Sequence, residues 1–189
     1  MLDIALGKEI IVNKVICRII AVTVFVVLTA IGAFVRIPLP FTPVPLTLQT
    51  FFVLLSGAFL GANLGASAQA IYVILGLAGV PVFNSGGFGL THLMGPTTGY
   101  LLGFILSALF VGRFIKYSKD NILAALGIFI LADFILLFCG TLWLKIILGY
   151  PFMRLLKMGF FPFILPDIFK AFLAALLYLK LKTRLKAIF

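Results

Sequence analysis

Residues 36–50 read R-I-P-L-P-F-T-P-V-P-L-T-L-Q-T. Four prolines, Pro38, Pro40, Pro43 and Pro45, fall within eight positions. Proline has no amide hydrogen to donate and pushes its predecessor toward extended geometry, so this stretch cannot be helical. Strongly apolar runs, 15–35 and 51–60, flank it. Irregular backbone at membrane depth survives only where protein packs around it or where it lines a cavity. Two readings stay open at this point: a rigid loop that caps or lines a binding cavity, and a proline-rich external turn without a ligand.

The rest of the chain puts that stretch in a membrane. Of its 189 residues, 63% are hydrophobic and 11% charged, with a mean hydropathy of +1.28. A soluble core of this size has no use for so much apolar surface, so the class is an all-α polytopic membrane protein forming a single domain over 1–189. The net charge of +10 does not point to nucleic acid. The Lys and Arg residues gather at the ends of apolar runs, where positive charge orients helices. Cys17 and Cys139 lie in separate apolar runs and offer neither a disulfide framework nor metal-ligand spacing. The N-terminal run reads as a retained helix rather than a signal peptide.

Six spans are expected, at about 14–35, 47–60, 62–78, 95–115, 121–148 and 160–179. Pro96 is placed early in the first turn of the fourth. Between the third and fourth lies a long loop, 79–94. An even number of spans puts both termini on one side. That side collects Lys8, Lys14, Arg18, Arg113, Lys116, Lys119, Lys180, Lys182, Arg184 and Lys186, against Arg36, Arg154 and Lys157 on the other. The excess places both termini in the cytoplasm. The proline stretch, the 79–94 loop and the start of the fourth span then face outward.

The sharpest chemical feature is P-D-I-F-K-A, 166–171. Asp167 and Lys170 are three apart and share a helix face. By helical rise they lie roughly 10 and 15 Å below the outer surface. Intramembrane charges are costly and face the bundle interior, paired or functional. An internal ion pair and a ligand site both satisfy this. Pro166 bends or frays the preceding turn and frees a carbonyl. Asp133, about 18 Å along its helix from Asn121, is either a structural partner for Lys170 or a backbone group, or a ligand contact. Gln49 and Asn84 belong to the outer cluster, and Gln69 reads as interhelical glue. His92, the one histidine, reads as a solvated loop residue and a poor metal ligand. Gly57, Gly61 and Gly65 allow close helix approach, either within the chain or against another subunit. No phosphate-binding G-x-x-x-x-G-K-[ST], G-x-S-x-G or H-E-x-x-H motif is present, so nothing supports an enzyme or ATP hydrolysis by this chain. Paired broken helices of a self-sufficient secondary transporter are not apparent either.

R-I-P-L-P-F-T-P-V-P-L-T-L-Q-T-F, L-G-L-A-G-V-P-V-F, G-P-T-T-G-Y-L-L-G-F and P-D-I-F-K-A together resemble the BioY family, the biotin-binding S components of energy-coupling factor (ECF) transporters, over roughly 14–180. The resemblance implies a six-helix S-component-type bundle with an outward-facing cavity, in a prokaryotic plasma membrane, capturing biotin for ATP-driven uptake. It implies a membrane coupling subunit and two ABC ATPases as partners, and no cofactor or metal. It carries Asp167 and Lys170 over as ligand contacts, and Gln49, Tyr100 and Thr97 as pocket residues. Phe83, Tyr72 and Trp143 would form apolar walls, and Lys170 or Asn84 would meet the ligand carboxylate. A carboxylate suits ureido N–H donors, and an ammonium, amide or hydroxyl suits the ureido carbonyl. The chain departs from the pattern in four places. Thr98 stands where a glycine is usual, narrowing the pocket wall. The G-A-N-L-G hairpin lacks a basic residue. L-P-D replaces P-G-D, and Thr29 with Ala33 only loosely replaces an A-x-x-x-A docking pair. The alternatives are an S component for another vitamin and a stand-alone proton-coupled carrier using Asp133.

Overall fold

The computed structural model describes the backbone of residues 2–185 and the side chains of 14–183. Lys8, Arg184 and Lys186, which carry part of the expected charge asymmetry, lie outside the described side chains. Helix α1 spans Leu2–Phe34, beginning well before the expected start at 14. Its first twelve residues hold no proline, so nothing halts the helix at the end of the apolar run.

The proline stretch then folds as a narrow ribbon. Strand β1 (Arg36–Ile37) pairs antiparallel with β2 (Leu46–Thr47), Arg36 opposite Thr47 and Ile37 opposite Leu46. The prolines fall in the connecting loop, where no ladder hydrogen bond is lost. The two strands are too short for sequence periodicity to announce them.

Helix α2, Gln49–Leu77, accounts for the second and third expected spans together. Gly61, at φ 79° and ψ 179°, interrupts the helical geometry and reverses the chain. That region is essentially open to glycine alone. The arms, 49–60 and 62–77, run back along each other. Gln49 Nε2 donates to the Tyr72 hydroxyl at 2.7 Å, and Gln69 Nε2 to Ser56 Oγ at 3.0 Å. A methyl group added at Gly65 would lie 2.8 Å from Gly57 Cα, so the backbones nearly touch. On its other side Gly57 meets the next long helix at Ala108 and Val111. The glycine series is thus spent on packing within the chain. Gln69 also donates to Thr29 Oγ1 at 3.3 Å, stitching α1 to the hairpin as expected of interhelical glue. Thr29 and Ala33 are fully buried there, so neither is available as a surface docking pair.

The 79–94 loop contains a 3₁₀ turn, Asn84–Gly86, and a short helix α3, Gly89–Leu93. Helix α4, Thr98–Phe114, starts after Thr97, so Pro96 precedes the helix instead of occupying its first turn. Thr98 Oγ1 donates to the carbonyls of Leu93 and Gly95, tying loop to helix. A 3₁₀ turn, Ile115–Ser118, leads to α5, Ile122–Leu148. Asn121 caps α5, its Oδ1 accepting from Leu123 N at 2.8 Å and Ala124 N at 3.2 Å. The segment expected as a plain loop before the last span holds an amphipathic helix, α6, Phe152–Gly159. Helix α7, Phe161–Leu185, continues through Pro166.

Among the described residues, five helices are long and apolar enough to cross a bilayer, and the reversal within α2 brings the crossing segments to six. Ile16, Ile19, Ile20, Val24 and Ile31 of α1, and Leu165, Phe169 and Phe172 of α7, stand exposed. On a membrane protein that exterior faces acyl chains. Inside are two clusters. One holds Leu54, Leu55, Val111, Phe129, Ala171, Ala174 and Tyr178. The other, with Tyr72, Phe83, Tyr100, Phe104, Leu136, Leu137 and Phe163, surrounds a cavity.

Candidate functional site

The cavity lies at the end of the bundle roofed by the ribbon. Val44, Pro45, Leu46 and Thr47 close it above, Phe83, Asn84 and His92 border it on the loop side, and Asp167 and Lys170 reach it from α7. About 510 Å³ between these residues is not filled by atoms, counting the mouth that opens to solvent. Of the two readings of the proline stretch, the structure selects the one in which it lines a cavity.

Its polar floor is built from both ends of the sequence. Asp167 and Lys170 form an ion pair one helical turn apart, 2% and 7% exposed. Thr50 stands between them: its hydroxyl donates to Asp167 Oδ1 at 3.2 Å and accepts from Lys170 Nζ. Lys170 also donates to the main-chain carbonyl of Thr47 at 2.9 Å. An ammonium offers three hydrogens, and here all three have an oxygen. Such a pair adds little net stability, but removing one partner strands a buried charge.

Gln49, at the head of α2, is aimed by two contacts. Tyr72 accepts from its amide and donates its own hydroxyl hydrogen to Val82 O at 3.0 Å, while Thr47 Oγ1 lies 3.4 Å from Gln49 Oε1. Tyr100 donates to Gly159 O at 2.6 Å, fixing the α4 wall to the end of α6. At the mouth, His92 stacks on Phe83 with ring centres 4.9 Å apart, and its Nε2 is 3.4 Å from Thr97 Oγ1. Burial there holds the imidazole below its usual range. His92 is therefore a half-buried loop residue that also forms part of the cavity wall. Arg36 Nη1 donates to Ser85 Oγ, joining ribbon to loop across the mouth.

Seven of the nine expected site residues line this space: Asp167, Lys170, Gln49, Tyr100, Asn84, Thr97 and Phe83. Tyr72 stands behind Gln49. Trp143 is not among the lining residues, and its Nε1 donates to Gly95 O at 3.0 Å. Thr98 is not part of the lining, so it does not narrow the wall. The residues that sequence reading missed are Thr47, Thr50, His92, Leu101, Phe104, Leu136, Leu137 and Phe163. Thr50 had a signal, being one residue from Gln49 in the same T-L-Q-T stretch. The Thr47 carbonyl had none. Asp133, 3% exposed, has no hydrogen-bond partner on either carboxyl oxygen and does not reach the lining. It lies within electrostatic reach of Lys170, the structural partner weighed in the sequence, without hydrogen-bonding to it, and it is not among the lining residues.

Carboxylate, ammonium, amide and hydroxyl groups thus meet in a cavity walled by aromatic and leucine side chains. Fold and cavity define a polytopic membrane protein with a buried small-molecule pocket at one end. The BioY family model matches residues 8–187, and the chain belongs to that family. A biotin transporter BioY of Thermotoga maritima is 36% identical over 177 residues, covering 87% of this chain and 95% of the relative. A probable biotin transporter BioY of Pyrococcus horikoshii is 38% identical over 156 residues, covering 82% and 90%. The crystal structure of an S-component for biotin from an ECF-type ABC transporter superposes with a TM-score of 0.85 at 26% identity, covering 90% of this chain and 93% of that one.

Proposed function

We propose that the chain is the biotin-capturing membrane subunit of an ECF-type importer. The observation that carries this reading is the Asp167–Thr50–Lys170 cluster at the base of a cavity whose other walls are apolar. Biotin matches it group by group. Its ureido N–H groups suit Asp167, its ureido carbonyl suits Lys170 or Gln49, and its ring and chain suit Phe83, Phe104, Leu137 and Phe163. Its carboxylate, at the far end of the molecule, falls toward Asn84, His92 and Thr97 at the mouth. A membrane coupling subunit and two ABC ATPases would supply the energy. The chain would sit in a prokaryotic plasma membrane with both termini cytoplasmic and the cavity facing out.

Titration calorimetry of the detergent-purified chain with biotin tests this. The expected result is saturable one-to-one binding with Kd below about 1 μM. Absence of binding in that range, with the chain monodisperse and folded, overturns it.

A further inference from the structure

A second concavity lies at the opposite end of the bundle and plays no part in the pocket described above. The turn of the α2 hairpin (Phe59, Leu60, Gly61), the 3₁₀ turn after α4 (Ile115, Lys116), Lys119, Asp120 and the end of α7 (Tyr178, Lys182, Thr183) enclose it. Its empty space, about 1380 Å³ including the mouth, exceeds that of the ligand cavity. One side is apolar and aromatic: the Tyr178 ring packs against Phe59 at 5.6 Å and Phe129 at 6.4 Å, which fixes it as a floor. The other side is cationic. Lys116, Lys119 and Lys182 face one carboxylate, Asp120, among the lining residues. Lys182 is shared: it pairs with Asp120, donates to Lys119 O at 2.5 Å and lies 5.8 Å from the centre of the Tyr178 ring.

We propose that this site binds the phosphate of an anionic phospholipid headgroup. An occupant must place negative charge among the lysines and apolar substance against Phe59, Leu60 and Tyr178, at the depth where membrane helices end. Basic pockets between helices at the membrane surface hold phospholipid phosphates by charge-assisted hydrogen bonds. A membrane phosphodiester satisfies charge, polarity and depth together, whereas a soluble anion leaves the apolar wall facing water.

The test is thermal unfolding of the biotin-loaded chain in neutral detergent with added phosphatidylglycerol, phosphatidylcholine or inorganic phosphate. Phosphatidylglycerol is expected to raise Tm by about 4 °C or more, phosphatidylcholine and inorganic phosphate by much less. Lys116→Gln with Lys119→Gln, both exposed positions, should remove most of that rise. Asp120→Asn should enlarge it by releasing Lys182. Equal shifts with both lipids, an undiminished shift in the double lysine variant, or full reproduction by inorganic phosphate overturns the assignment. Unchanged biotin affinity in each variant certifies the fold and keeps this outcome separate from failure of the biotin reading.

Discussion

Lys170 and Asp167 hold each other through Thr50, so each is compensated only while the other remains. Asp167→Asn and Lys170→Ala should each weaken biotin binding by about 1–3 kcal/mol, roughly 5- to 150-fold, because each leaves a buried polar group without its partner. Calorimetry reads this directly; wild-type affinity in both variants would remove the pair from the site. His92 makes a pH prediction. Burial depresses its folded pKa below the ordinary value. The unfolded segment therefore gains a proton first, and stability is lost as pH falls from about 6.5 through the folded value. Backbone amides of 83–97 should lose hydrogen-exchange protection, corrected for intrinsic rates, between pH 7.5 and 5.5. His92→Gln should flatten that change. Sequence revealed the α7 pair because a charge inside an apolar run is conspicuous. It concealed His92, because nothing adjacent in sequence says that Phe83 folds onto the imidazole ring.

At the level of elements, the α2 hairpin rests on two glycines with different duties. Gly61 has open space around its Cα but a backbone shape that side chains resist, and Gly65 faces the Gly57 backbone directly. Gly61→Ala should cost about 1–3 kcal/mol through strain alone, and Gly65→Ala a similar amount through forced separation of the arms. Both should lower Tm by several degrees in thermal unfolding, and only Gly65→Ala should also loosen the Gln49–Tyr72 contact and weaken biotin binding. A variant of Gly61 with unchanged Tm would show that the reversal does not depend on it. The long helices were legible because each contains a long apolar run, and the start of α1 was missed because no breaker precedes its run. The ribbon and α6 were not legible. Two-residue strands have no period, and α6 is eight residues whose charges, between Pro151 and Gly159, read as loop. Trp143 was misplaced for a related reason: a boundary good to a few residues does not fix which way a side chain on α5 points.

For the whole molecule, the ligand cavity and the basic concavity occupy opposite ends, with the apolar cluster of Leu54, Phe129 and Ala171 between them. No phosphate-binding loop is present to drive a cycle. Vesicles holding this chain alone should therefore bind biotin without accumulating it, and accumulation should begin when a coupling subunit, its ATPases and ATP are added. Biotin accumulation driven by a proton gradient in the chain alone, and lost in Asp133→Asn, would contradict this. Lys170 meanwhile grips the ribbon through the peptide carbonyl of Thr47, not through its side chain. Every residue type carries that oxygen, so the grip endures whatever side chain stands at 47, and a substitution there removes only the hydroxyl contacts to Gln49. A substitution scan of 47 would pass over this fastening, which a backbone ester between 47 and 48 would expose, because an ester carbonyl accepts more weakly than an amide one, with the loss of the Leu48 N–H bonds as the effect to control for.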